Sequence, residues 1–370
     1  MIERWLEGRD VCICAGPGGV GKTTTAAAIA LGMAARGNKV AVLTIDPARR
    51  LAAALGLEHL DNEAHRVDAE VSGELWAMML DPKRTFDELV ARHAPDDRTR
   101  DAVLSNRIYR ELSNAVAGSQ EYMAMEKLHE LHEGGEFDLL VLDTPPTRHA
   151  LDFLDAPRRL AAFIDSPSLQ LLTGGGLLGL KLLGRGTSVV FAGLKAATGV
   201  DLLQDLSDFF RAFGSMTDGF RERARAVNEL LADERSAFVV VTSPRRDAID
   251  EAVFFHRRLA DADLPFAGVV VNRARVPAPA HDDGLAAELE ALLGAALARK
   301  VLRTWDEERM LAARDRAALA GLRRRVGAAP TIEVPRMDGD VHDLEGLARV
   351  NEHLFAGRRR RRGARQTGAE

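Results

Sequence analysis

The chain has 370 residues, of which 46% are hydrophobic and 28% charged, with a net charge of −5. This is the composition of an ordinary globular protein, with room for one large α/β domain or one such domain carrying an insertion. The acidic balance argues against nucleic acid as a partner, since a binder of that kind carries a basic surface.

The amino-terminal Met1–Gly8 holds no apolar signal core. No run reaches the roughly 18–20 uncharged apolar residues of a membrane span. Ser166–Leu180 comes nearest, but it is rich in glycine and stops at Lys181. The expectation is a cytoplasmic protein, able at most to associate transiently with a membrane. Cys12 and Cys14 are the only cysteines. Two apart on a strand, they share a face, are poorly placed for a disulfide and lack the company a metal site needs. They read as buried thiols.

Val11–Ala15 is a short apolar run entering glycine-rich sequence, and Thr23–Ala35 follows as an alanine-rich helix. Further strand-like runs are Val40–Ile45, Leu75–Leu80, Leu139–Leu142, Ala237–Thr242, Ala267–Val271 and Thr331–Val334. Helix-forming stretches separate them, which predicts an α/β fold with a mostly parallel sheet covered on both faces. Pro157–Glu234 breaks the pattern with Leu, Ala, Phe and Gly, and is expected to be a helical subdomain inserted in the α/β domain. Its clearest amphipathic stretch is Asp201–Asp233. Pro82–Gly134 is expected to be helical and to pack beside it. Pro277–Asp283 reads as a loop. The domain is expected over residues 1–356, and 357–370, opening on Arg358–Arg362, as a disordered tail. No internal repeat is evident, so the chain carries one nucleotide domain rather than a tandem pair.

Gly16-Pro17-Gly18-Gly19-Val20-Gly21-Lys22-Thr23 fits the spacing of a phosphate-binding loop, with a strand before it and a helix after it. Glycines let the backbone wrap a phosphate, and the N–H groups at the helix start supply donors and a positive dipole end. Lys22 would neutralise β/γ-phosphate charge, and the Thr23 hydroxyl would ligate Mg²⁺. Phosphoryl transfer also needs a second contact to the metal and a group that orients water. Asp143 and Asp46 each close a strand-like run, at the strand ends where open α/β sheets gather ligand groups. An Asp there can equally cap a helix.

Asp46-Pro47-Ala48 and Asp143-Thr144-Pro145-Pro146-Thr147-Arg148-His149 resemble the switch I and switch II motifs of the ArsA-like ATPases. That family comprises arsenite-pump ATPases and the ATPases that target tail-anchored proteins. The loop with Gly18, Gly19, Val20, Gly21, Lys22, Thr23 and Thr24 is similar to theirs, of the deviant Walker A type, and the likeness spans nearly the whole chain. It implies ATP as substrate with Mg²⁺, Asp46 orienting the attacking water, and Asp143 with Thr144 sensing the γ-phosphate through the metal. It further implies that Thr147 and His149 move with switch II, that Asn272 in Val270–Arg273 reads adenine, and that Pro335 closes over the base. The family works as nucleotide-gated dimers whose closure rearranges the helical subdomain.

Three departures bear on the role. Pro17 stands where the family usually has a second lysine that reaches across the dimer, so either a switch arginine compensates in a homodimer or the chain pairs with a paralogous ATPase. The helical region has no cysteine, which disfavours an arsenite-pump subunit. The Cys-x-x-Cys zinc clamp of eukaryotic targeting ATPases is also missing. The resemblance therefore implies ATP hydrolysis coupled to a hydrophobic client or a membrane partner, with Leu171–Leu206 as a client groove or a plain subdomain core. A regulatory or positioning ATPase similar to the ParA/MinD relatives is the alternative.

Overall fold

The computed structural model describes residues 2–46, 50–107, 109, 119–145 and 216–355. Most of the expected insertion, Thr147, Arg148 and His149, and the arginine tail lie outside the described residues.

In chain order the described elements are α1 (Glu3–Leu6), β1 (Val11–Ala15), α2 (Lys22–Ala34), β2 (Lys39–Thr44), α3 (Arg50–Ala54), β3 (His65–Arg66), β4 (Glu74–Met79), α4 (Pro82–His93), α5 (Asp97–Ser105), α6 (Ser119–Gly134) and β5 (Leu139–Asp143). They continue with α7 (Thr217–Ala232), β6 (Ser236–Thr242), α8 (Arg246–Asp261), β7 (Phe266–Ala274), α9 (Asp283–Leu293), α10 (Ala295–Val326), β8 (Thr331–Pro335) and α11 (Leu344–Phe355). Eight strands form one sheet in the order β3-β4-β2-β5-β1-β6-β7-β8. Every neighbouring pair is parallel except β3 against β4, which closes one edge antiparallel.

The strands are apolar on both sides because helices cover both faces. Val11, Ile13 and Ala15 of β1 join the core beneath α4, α6, α7 and α8, while Cys12 and Cys14 join the core beneath α2 and α11. Alternation with period two sends neighbours on one strand to opposite layers. Cys12 and Cys14 are fully buried and unbridged. The Cys14 thiol is held far above its usual pKa, first by its hydrogen bond with Cys12 and then by burial, so it stays protonated and unreactive.

Helix ends follow their local chemistry. Asp81 caps α4, accepting from the Arg84 N–H at 3.0 Å with Pro82 in the first turn, and Asp96 caps α5 through the Thr99 N–H at 2.7 Å. In the helical layer opposite α2, Glu126 of α6 is 1% exposed and receives the Arg223 guanidinium of α7 at 2.6 Å. Burial raises the Glu126 pKa and the arginine draws it back down. Within the expected helical region Pro82–Gly134, α4, α5 and α6 are helices, and the last part of the expected insertion is α7.

Candidate phosphate and nucleotide site

β1 ends at Ala15 and the chain turns into the loop at Gly16, whose φ is +155°. A Cβ at this position would lie 2.0 Å from the Val241 carbonyl oxygen of β6, so only glycine lets the loop pass the neighbouring strand. Gly19 and Gly21 have φ of +74° and +90°, in the left-handed region. A Cβ on Gly21 would meet the Asn272 Nδ2 at 2.3 Å. α2 starts at Lys22 immediately after this left-handed residue, so its unpaired N–H groups open onto the loop.

Three strand ends converge on that opening. β1, β2 and β5 are parallel and in register, with Cys14 opposite Asp143 and Thr44 opposite Asp143. The Thr23 hydroxyl of α2 donates to Asp143 Oδ2 at 2.6 Å, and the Thr44 hydroxyl of β2 donates to the same oxygen at 3.0 Å. Asp143 is 2% exposed, and its Oδ1 is buried without a hydrogen-bond partner among the described residues. Burial raises the Asp143 pKa to about 6, against the pull of the Thr23 hydroxyl, Lys22 and the Thr44 hydroxyl.

Lys22 is 7% exposed and donates from Nζ to the Pro17 carbonyl at 3.0 Å. Burial lowers its pKa, opposed by Asp143 and Asp46. Desolvation thus disfavours the charged form of both members of an opposite pair, a state that a polyanion with a counter-ion would relieve. Thr144 donates both its backbone N–H (3.2 Å) and its hydroxyl (2.9 Å) to the Cys14 carbonyl. This ties the start of the switch II sequence to β1. Asp46, one residue past Ile45, lies 3.6 Å from Arg50 of α3 and gives its backbone N–H to the Thr44 hydroxyl at 3.2 Å.

On the other side of the loop lies a cleft of about 1130 Å³, lined among others by Gly19, Thr24, Asn272, Arg273 and Pro335. Six arginines border it: Arg50, Arg245, Arg273, Arg275, Arg314 and Arg336. β7 breaks register between Val271 and Ala274, and Arg273 sits at φ +60°. That kink brings Arg273 across to donate to the Gly19 carbonyl at 3.0 Å. Asn272 donates from Nδ2 to the Val20 carbonyl at 2.9 Å and accepts the Arg273 N–H on Oδ1 at 2.9 Å. One amide N–H and one oxygen lone pair of Asn272 take no part in these two bonds.

The structure therefore brings Lys22, Thr23, Asp143, Thr144 and Asp46 to the carboxyl ends of the central strands and Thr24, Asn272 and Pro335 to the adjoining cleft. Thr44 was absent from the sequence expectations, and Arg273 figured there only as the last residue of the segment Val270–Arg273, with no role of its own. A hydroxyl inside Val40–Ile45 reads as one more β-branched strand former, and the only clue to Thr44 was its place two residues before Asp46. The contact of Arg273 with Gly19 gave no signal, because it depends on the kink in β7.

A strand, a glycine loop with lysine and hydroxyl, and a helix start facing a strand-end carboxylate define a P-loop nucleoside triphosphatase. The chain belongs to the anion-transporting ATPase family, whose ArsA ATPase profile matches residues 9–292. It is similar to proteins named ATPase GET3. The one from Podospora anserina is 26% identical over 269 residues, covering 72% of this chain and 74% of that protein. The one from Chaetomium globosum is 27% identical over 268 residues, covering 72% and 73%. The one from Malassezia globosa is 33% identical over 144 residues, covering 39% and 41%. The protein is an ATPase, converting ATP and water to ADP and phosphate.

Proposed function

We propose that the ATPase is Mg²⁺-dependent, with Thr23 and Asp143 holding the metal and Asp46 orienting the attacking water. The carrying observation is the 2.6 Å contact from Thr23 to Asp143 Oδ2, beside an Oδ1 that is buried and without a partner among the described residues. A hydroxyl and a carboxylate are the hard oxygen donors that Mg²⁺ takes, together with phosphate oxygens. Bound there, the metal supplies neutralising charge to the β- and γ-phosphates. Lys22 swings from the Pro17 carbonyl onto the phosphates, and the N–H groups of Gly18, Gly19, Val20, Gly21 and Thr23 cradle them. Gly16 lets the loop pass β6. Asp46 would hold the attacking water in line with the γ-phosphate, with Arg50, 3.6 Å away, orienting its carboxylate. Thr24, Asn272 and Pro335 flank the adenine end of the nucleotide.

The same reading couples hydrolysis to a dimer that opens and closes around a hydrophobic protein client or a membrane partner, in the cytosol. Its support is family membership together with the switch motifs at Asp46 and Asp143. The 1–356 domain with a helical subdomain near 157–234, Thr147 and His149 moving with switch II, and the homodimer-or-heterodimer choice remain part of this proposal.

The test is steady-state kinetics with ATP and Mg²⁺. Lys22→Ala and Asp143→Ala are expected to abolish turnover, and Asp46→Asn to bind ATP while losing kcat with KM little changed. Normal kcat in Asp46→Asn would remove Asp46 from the mechanism. Affinity capture with the ATP-locked Asp46→Asn protein then identifies the client, and recovery of only a membrane-positioning or DNA partner would favour the ParA/MinD-like alternative.

A further inference from the structure

A second cluster of metal-ligating side chains lies at the far edge of the sheet, away from the phosphate loop. His59, Asp61 and His65 present one ligand atom each, all within 4.8 Å of one another. We propose that these three residues form a site for a divalent transition-metal ion of the zinc type, clipping the loop between α3 and β3 onto β4.

Two of the ligands are already fixed. The Asp61 carbonyl accepts the Met79 N–H at 2.8 Å, and Met79 is the last residue of β4. His65 belongs to β3, opposite Ala77 of β4. Between them Asn62 is 3% exposed, its side-chain oxygen accepting from the Asp81 N–H (3.1 Å) and the Thr85 hydroxyl (3.2 Å). The loop is thus anchored before any ion arrives. His65 Nε2 and Asp61 Oδ1 are 2.8 Å apart, and the His59 and His65 rings meet edge to face at 5.6 Å. The Glu63 N–H also bonds Asp61 Oδ1 at 2.9 Å, which leaves Oδ2 to turn toward an ion.

Ligand atoms around one ion with bonds of about 2.0–2.2 Å lie about 3.0–3.6 Å apart. From its 4.8 Å limit the cluster needs to close by at most about 1.2–1.8 Å. His59 is exposed, so its ring is free to make that movement.

Ligand chemistry separates this site from the phosphate loop. Two imidazoles and one carboxylate suit zinc, cobalt, nickel or copper, whereas the all-oxygen pair of Thr23 and Asp143 suits Mg²⁺. Three protein ligands also leave a position open to water. The zinc-type ion here would act as a surface clip within one chain, independent of how ATP is hydrolysed.

The experiment is calorimetric titration of the tag-free, full-length chain with ZnCl₂ after chelator treatment, in buffer without Mg²⁺ or nucleotide. One Zn²⁺ is expected per chain, with at least tenfold weaker binding in His59→Ala and in His65→Ala and unchanged binding in Asp143→Asn. Zn²⁺ should raise the Tm of the wild type and leave that of His59→Gln unmoved. His59→Gln alters an exposed side chain, and its Mg²⁺-ATP turnover should match wild type, showing that it is folded. Failure of the wild type to bind Zn²⁺ would overturn the proposal. So would binding that survives the paired His59→Ala and His65→Ala substitutions, or that vanishes only in Asp143→Asn.

Discussion

The Thr44 hydroxyl donates to Asp143 Oδ2 at 3.0 Å while accepting the backbone N–H of Asp46 at 3.2 Å. One side chain thereby connects the Asp143 carboxylate at the end of β5 with the backbone of Asp46 just past β2, 97 residues apart in sequence. Asp143 also receives Thr23, so its oxygen is shared by two hydroxyls, from a strand and from the loop helix.

Thr44→Val keeps the shape of the side chain and removes the connection. Stability is expected to fall by about 1 kcal/mol, the net value of such a bond, and Tm by about 2–4 °C. Turnover is expected to drop about tenfold, or about 1.4 kcal/mol of transition-state stabilisation, while KM for ATP stays within about twofold. Wild-type kcat in Thr44→Val would show that Asp46 and Asp143 are positioned independently.

Asn272 holds the loop through the Val20 carbonyl and flanks the cleft with what remains of its amide. Asn272→Ala is expected to raise KM for ATP by about tenfold, the loss of one to two hydrogen bonds, and to narrow the preference for ATP over GTP. Competition between the two nucleotides for turnover measures both. A wild-type enzyme that turns over all nucleotides equally would sink the adenine assignment.

Acid should weaken the fold through histidines. His93 has a depressed pKa because of burial, then because of Arg223 and Arg92, with Glu222 opposing; it packs against Phe220 and close to Gly219. Burial also depresses His129 and His256. The folded state keeps these rings neutral, so the unfolded chain binds more protons as pH falls below the ordinary value of about 6.5. Their contribution is fully present above about pH 6.5 and is lost as pH falls below it. Thermal melts at pH 7.5 and 5.5 are expected to show a lower Tm in acid, with a smaller drop in His93→Leu. An equal drop in that variant would clear His93.

Pro17 is buried, lacks a backbone N–H, and lends its carbonyl to Lys22. Pro17→Lys is expected to speed ATP turnover or tighten ATP-dependent self-association of the isolated chain, since a charge supplied across an interface is worth about 10³–10⁵ in kcat in other nucleotide switches. Sedimentation with and without a non-hydrolysable ATP analogue reads the second effect. If neither changes and Arg148→Ala abolishes turnover, a homodimer compensated by arginine is the better account.

The sheet was legible because seven of its strands are apolar runs of five to nine residues bounded by polar sequence. β3 escaped notice because two residues, His65 and Arg66, have no period to read. The phosphate loop was legible because glycine spacing encodes backbone conformation directly, as the positive φ at Gly19 and Gly21 shows. Asp143 was legible by its place at a strand end. Contacts made between distant elements were not: Arg273 reaches Gly19 only through a register shift, and the Asp61–Met79 bond joins a loop to a strand end. No local pattern carries that information.

β1 stands at the centre of the sheet, yet Val11 pairs with Ser236, made 225 positions later. At about 5–20 residues per second, translation takes roughly 11–45 s to supply that partner. Until then the alanine-rich α2 and the paired thiols have half a platform to rest on, and the Val241 carbonyl that confines Gly16 does not yet exist. A ribosome stalled at Glu234 should therefore carry a nascent chain unable to retain ATP, and one stalled well past Asn272 should carry one that can. The capacity to bind ATP is then a late product of synthesis, gained only once β6 has joined the sheet beside β1.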